Sequence, residues 1–282
     1  MGEAHCIKRS RLDERFLAQV FLEEMVLMPK TIALAGKGGT GKTTIAALLT
    51  QGLMHRISGP LLAIDADPAA NLHLALGLPM PMTVGEIRED MSETAQKGEL
   101  GVAISRHDYL THEVQMALEE GEQVDLLAMG RPEGQGCYCA ANHLLRTIID
   151  SLGDTYKYIV VDNEAGMEHI SRRTTRDVDM LLIVSDPTIR GIRTAENISD
   201  LAEEIEVNVH HKMLVLNRVT GELPEPLQEA IDAMDIQLGS VIPADPKVNE
   251  LDALGKPLTQ LTNDSPSFRE IETLIEKILR DI

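Results

Sequence analysis

The sequence predicts an α/β fold: a doubly wound, mostly parallel sheet with helices on both faces. Two observations carry the class. Short aliphatic and β-branched runs recur along the chain without polar alternation, the pattern of strands buried on both sides. Stretches with helical spacing separate them, so strands and helices alternate. A third observation marks the working end of the sheet, because the first run leads straight into the glycine-rich turn GKGGTGKT at 36–43, which opens a helix.

Residues 1–28 mix acids, bases and apolar residues without the apolar core of a signal peptide, and Met25 and Met28 are alternative starts. We expect an N-terminal extension there and a single α/β domain over residues 29–282. Its first strand is KTIALAG (30–36), followed by a helix at 42–57. LLAIDAD (61–67) is the second strand, and the polar stretch from about 80 to 123 reads as an insertion of short helices. VDLLAMG (124–130) precedes a helix at 140–152, and YKYIVVDN (156–163) and DMLLIVSD (179–186) are strands four and five. A helix at 189–206, the strand KMLVLNRV (212–219), a helix at 225–234 and the strand IQLGSVIP (236–243) follow. The last helix, 267–281, gathers Phe268, Ile271, Leu274, Ile275, Ile278 and Leu279 on one face. Its polar face mixes Glu270, Glu272, Glu276 and Asp281 with Arg269, Lys277 and Arg280, so it is expected to dock on the sheet and not on a membrane.

Composition narrows the function. With 26 basic against 45 acidic residues the formal charge is −19, which repels nucleic acid and anionic lipid, so neither is an expected partner. Aromatic residues are 2% of the chain and Trp is absent, which argues against a base-stacking platform. No apolar run reaches the roughly 18 residues of a membrane span. Three cysteines do not form a secreted disulfide framework, and the expected location is the cytoplasm.

GKGGTGKT fits G-x-x-x-x-G-K-[ST] in the required strand-to-helix context. Gly36, Gly38, Gly39 and Gly41 let the backbone amides of the loop, through Thr40 and on to Thr44, wrap phosphates at a positive helix end. Lys42 is placed to reach the β/γ oxygens and Thr43 to bind Mg²⁺. Asp162, at the end of strand four, is a second candidate for the Mg²⁺ shell, followed by Gly166 where backbone approaches closely. A carboxylate in IDADPAAN suits water orientation, with a turn or capping role for Asp65 and Asp67 as the alternative. Asn217 ends strand six, and Thr220 stands where a guanine site wants an acid, so ATP is expected over GTP. Cys137 and Cys139 are one residue apart in GCYCAANH, a spacing at which two thiolates converge on one soft ion. A pair of inert cysteines is the alternative, and His143 is either a surface residue or a further ligand.

With Lys37 directly after the first glycine, the loop resembles the deviant Walker A class, the MinD, ParA and nitrogenase iron protein superfamily, across residues 30–282. That resemblance implies a homodimeric ATPase binding ATP and its product ADP, in which Lys37 crosses to the partner's nucleotide. It also implies that Asp67 positions the attacking water with support from Asp65, and that Pro243 closes over the base. The combination of GKGGTGKT, CYC, EAGMEHISR and NRV is similar to the CooC family of nickel-insertion ATPases, which mature carbon monoxide dehydrogenase and acetyl-CoA synthase. By that resemblance Cys137 and Cys139 hold Ni²⁺ or Zn²⁺ across the dimer interface, and the partner is a client nickel enzyme. Glu164, Ala165, Gly166, Glu168, His169 and Ser171 belong to the segment typical of the family. A positioning ATPase of the MinD/ParA kind and an ATP-gated electron donor of the iron-protein kind remain alternatives.

Overall fold

The computed structural model describes residues 29–87, 89–90, 114–131, 155–166, 177–204 and 208–282. Its strands are β1 (Lys30–Gly36), β2 (Leu61–Ala66), β3 (Val124–Ala128), β4 (Tyr158–Asn163), β5 (Asp177–Ser185), β6 (Asn208–Val219) and β7 (Gln237–Pro243). The helices are α1 (Lys42–Arg56), α2 (Leu72–Leu76), α3 (Ile189–Glu204), α4 (Glu225–Asp232), α5 (Pro246–Ala253) and α6 (Pro266–Asp281), with a 3₁₀ turn at Leu258–Gln260. The seven strands lie in the order β3-β2-β4-β1-β5-β6-β7, and every neighbouring pair is parallel. The doubly wound α/β class expected from the sequence is the observed one.

Alternating strand residues feed two cores, as the two-residue repeat of a pleated strand requires. On one side Ile32 and Leu34 of β1 pack with Ile45, Leu48 and Leu49 of α1 and with Phe268, Ile271 and Ile275 of α6. On the other, Ala33 and Ala35 pack with Ile192 and Ala195 of α3 and with Leu227 and Ile231 of α4. The apolar face of α6 is therefore spent on the sheet, with Ile271, Leu274, Ile275 and Ile278 wholly buried. No helix among the described residues is long and apolar enough to cross a membrane.

β6 begins earlier than its apolar run suggests, because Asn208 and Val209 pair with Asp177 and Val178 at an end where polar side chains reach solvent. Two helices escape periodicity altogether. α2 is only five residues long, and α5 is set by Asp245, whose carboxylate accepts from the Lys247 amide, with Pro246 beginning the helix. In the polar insertion, helical turns at 84–87 and 114–116 are described, and Glu119 pairs antiparallel with Leu126 to cover the edge strand β3. The expected helix at 140–152 lies outside the described residues, as does the extension 1–28.

β1 has β4 on one side and β5 on the other, and the chain winds away from it in both directions. In such sheets the crevice at the carboxyl ends of the strands, where the winding reverses, is the place for a ligand. The loop 36–43 leaves the sheet there.

Candidate functional site

The loop after β1 is shaped by its own backbone. Thr40 donates from Oγ1 to the Lys37 carbonyl at 2.9 Å. Gly41, at φ +90°, turns the chain into α1, and a Cβ at this position would lie 2.4 Å from Asn217 Nδ2. α1 starts without a side-chain cap and without an acid in its first turn. Its first amides therefore point into the crevice unpartnered by the usual devices, a ready anion site.

Lys42 lies inside this loop with 7% of its surface exposed. Its Nζ makes only long contacts, 3.4 Å to the Gly36 carbonyl and 3.5 Å to the Lys37 carbonyl. Burial lowers its pKa, against the opposing pull of Asp162, Asp67 and Glu164. Lys37 and Gly38 stand exposed at the outer edge of the loop, with Ala165 3.6 Å from where a Gly38 Cβ would sit. The Gly166 amide donates to the Gly36 carbonyl at 3.1 Å, tying the segment after β4 to the loop.

Asp162, Asp67 and Glu164 pull on the ammonium, and Asp65 lies on the strand beside Asp162. Asp162 pairs in register with Leu34 of β1 and with Asp65 of β2, so two carboxylates sit on adjacent strands at the same level. Asp162 is 1% exposed, and neither of its oxygens has a hydrogen-bond partner. Burial pushes its pKa up to about 7, with Asp65 and Asp67 adding to the rise and the nearby Thr43 hydroxyl and Lys42 opposing it. Asp65 is used differently: its oxygens accept from the amides of Asp67 at 3.1 Å and Leu72 at 2.8 Å. Burial still raises it to about 6. Asp67 is half-exposed and accepts from the Ala69 amide at 2.8 Å through one oxygen only.

An orphaned buried carboxylate beside a threonine hydroxyl at a phosphate-type loop fits Mg²⁺, which takes one or two protein oxygens and completes its octahedron with water and phosphate. No group of three or more His, Cys, Asp or Glu side chains among the described residues is arranged to hold a metal. Cys137, Cys139, His143 and the segment from Glu168 to Ser171 fall outside those residues.

A cleft opens beside the ends of β6 and β7. Thr44, Asn217, Arg218, Pro243 and Asn249 line it, so Asn217 and Pro243 share one cleft. Asn217 is also a strut: its Nδ2 donates to the Thr40 carbonyl at 2.8 Å. Sequence reasoning missed Arg218, whose guanidinium donates to the Gly39 carbonyl at 3.1 Å from a residue at φ +60°. Nothing in its residue type announces that reach. It follows from the backbone, which leaves its pairing register with β7 between Leu216 and Val219.

Comparison with known proteins fits this geometry. Residues 31–258 match the family model described as the CobQ/CobB/MinD/ParA nucleotide binding domain. An uncharacterized ATP-binding protein of Methanocaldococcus jannaschii is 39% identical over 248 residues, covering 88% of this chain and 98% of its own. The carbon monoxide dehydrogenase accessory protein CooC of Rhodospirillum rubrum is 31% identical over 256 residues, covering 85% of this chain and 92% of its own. Among solved structures, the cell division ATPase MinD of Pyrococcus furiosus superposes with a TM-score of 0.65 at 26% identity, covering 90% of this chain and 99% of that one.

Proposed function

The chain belongs to the CobQ/CobB/MinD/ParA nucleotide-binding family and is an ATPase, and from that premise we propose that it is a cytoplasmic nickel metallochaperone working as a homodimer. The observation that carries the proposal is the Cys137-x-Cys139 pair in a chain 31% identical to an accessory protein of carbon monoxide dehydrogenase. Two thiolates make half of a tetrahedral soft-metal site, and a two-fold dimer supplies the other half. Nickel, or zinc in its place, is the cargo, and the client is a nickel enzyme such as carbon monoxide dehydrogenase.

The chemistry that would drive transfer follows from the site. The uncapped start of α1 and the loop amides hold the ATP phosphates, and Lys42 exchanges its long carbonyl contacts for β/γ oxygens. Thr43 and Asp162 would hold Mg²⁺, which supplies charge neutralisation across those oxygens. Half-exposed Asp67, with one oxygen bound to the Ala69 amide, presents the other to a water. That water attacks the γ-phosphorus, the bond from phosphorus to the β-bridging oxygen breaks, and ADP and phosphate leave. Lys37, exposed at the loop's edge, reaches across to the partner's nucleotide. Asn217 and Pro243 flank the adenine.

A membrane-positioning role would need a free apolar helix face, and α6 buries its own. The deciding experiment is elemental analysis of anaerobically purified protein loaded with Ni²⁺ and ATP, beside Cys137→Ser/Cys139→Ser. About one Ni or Zn per two chains, lost in the variant, is the expected result. Several irons per dimer would point instead to electron transfer, and no metal in either protein would end the chaperone reading.

A further inference from the structure

The loop between β2 and α2 carries Asp67 through a backbone turn that its sequence does not favour. Ala70 sits at φ +48° with its side chain 5% exposed. An L-residue with a Cβ pays for that left-handed conformation, and outliers of this kind persist where the surroundings over-determine them. Here three tethers do so. The Ala70 amide donates to the Asp67 carbonyl at 3.0 Å, and Asp65 holds the amides of Asp67 and Leu72. The third tether is a side chain: His73 Nδ1 stands 2.8 Å from the Ala70 carbonyl oxygen. A carbonyl only accepts, so Nδ1 carries the proton. Side chains in a helix lean toward its N-terminus, which is how a residue in the first turn of α2 reaches a carbonyl three positions back.

We propose that His73 is a positioning residue for ATP hydrolysis, pinning the strained Ala70 turn so that Asp67 is held at the angle its water requires. The proposal rests on the reading of Asp67 as the water-positioning carboxylate. His73 acts through the Ala70 carbonyl, the Asp67–Ala70 turn and the Ala69 amide that fixes one Asp67 oxygen. Without it, the turn is free to relax to an unstrained conformation that points the carboxylate elsewhere. ATP binding, which depends on the loop 36–43 and α1, is left intact.

The test is single-turnover hydrolysis of prebound ATP, with ATP affinity and thermal midpoint measured on the same preparations of the full chain. In His73→Leu the rate should fall about tenfold, the scale of a small misplacement of a reacting group, while ATP affinity stays within about twofold. His73→Asn places its Nδ2–H near the position of Nδ1–H and should restore most of the rate, whereas His73→Gln should not. Asp67→Asn should lose on the order of 10²-fold, and adding His73→Leu to it should cost nothing more, because both act on one step. A His73→Leu rate equal to wild type with Asp67→Asn inactive overturns the role of His73 alone. Losses that multiply in the double variant, or no rescue by Asn, also overturn it. An Asp67→Asn protein that hydrolyses ATP at the wild-type rate overturns the underlying reading of Asp67, and this inference with it.

Discussion

Asp162, at one end of the sheet, is treated in the opposite way to the carboxylates at the other end. At the foot, Asp179 accepts from the Lys30 ammonium at 2.7 Å and the Thr31 amide at 2.9 Å, and Asp125 accepts from the Tyr156 hydroxyl at 2.6 Å and the Gly121 amide at 3.2 Å. At the head, Asp162 is more deeply buried than either and has no hydrogen-bond partner, while Lys42 makes only contacts of 3.4 and 3.5 Å. Both non-glycine residues with positive φ among those described, Ala70 and Arg218, are also at the head. What differs is which polar groups are satisfied by the fold and which are left for a ligand, and a buried polar group left unpaired needs such an explanation.

The sharpest way to break the comparison is to remove the head's cation. Lys42→Ala should abolish measurable ATP binding and hydrolysis, a loss on the order of 10²-fold or more, because among the described residues no other ammonium enters the loop so deeply. A variant that still binds ATP at near wild-type affinity in an equilibrium titration would mean the loop amides suffice. Gly41→Ala should follow, with at least about a tenfold loss of ATP affinity. Its Cβ would meet Asn217 Nδ2 at 2.4 Å, and φ +90° disfavours any side chain. Relief by Asn217→Ala in the same chain would show the clash to be the cause.

Asp162→Asn sharpens the comparison through stability. A carboxyl whose folded pKa of about 7 lies above its unfolded value stabilises the fold while protonated, and that contribution is lost as pH rises from about 4 through about 7. Without nucleotide or Mg²⁺, the Asn variant should therefore melt higher than wild type above pH 7, with the advantage shrinking as pH falls toward 5. At about 1.4 kcal/mol per pKa unit the gain is bounded by about 4 kcal/mol. A Tm difference that does not change between pH 5 and 8 would show that Asp162 is not the strained group at the head. The same variant should lose hydrolysis, so stability and activity move in opposite directions at this one position.

Much of the fold and of the loop was legible in the sequence, and the exceptions have physical causes. β1 was readable to the residue because Lys30 and Gly36 bracket an unbroken apolar run, and the phosphate loop was readable because its glycines and Lys42 must keep fixed spacing. The start of β6 was hidden because pairing with β5 carries it through polar residues. α2 was hidden because five residues show no helical period, and with it went the His73 contact that the helix makes possible. Asn217 was legible as a residue near the end of a strand, while its hold on Thr40 depends on β6 passing beside the loop, which no local pattern encodes.

The smallest effect tests the foot. Tyr156→Phe deletes one hydroxyl that bonds Asp125 and leaves the Gly121 amide on that carboxylate. One such hydrogen bond contributes about 1 kcal/mol, so the thermal midpoint should fall by about 2–4 °C. Hydrolysis and ATP affinity should stay at wild-type values, because the foot is built from groups that satisfy one another and has nothing left to offer the crevice. If turnover changed while ATP affinity held, the foot would be transmitting to the head along β4, which begins at Tyr158 and carries Asp162 near its far end. The two ends would then be coupled parts of one device, and the contrast between satisfied and unsatisfied carboxylates would describe its resting state.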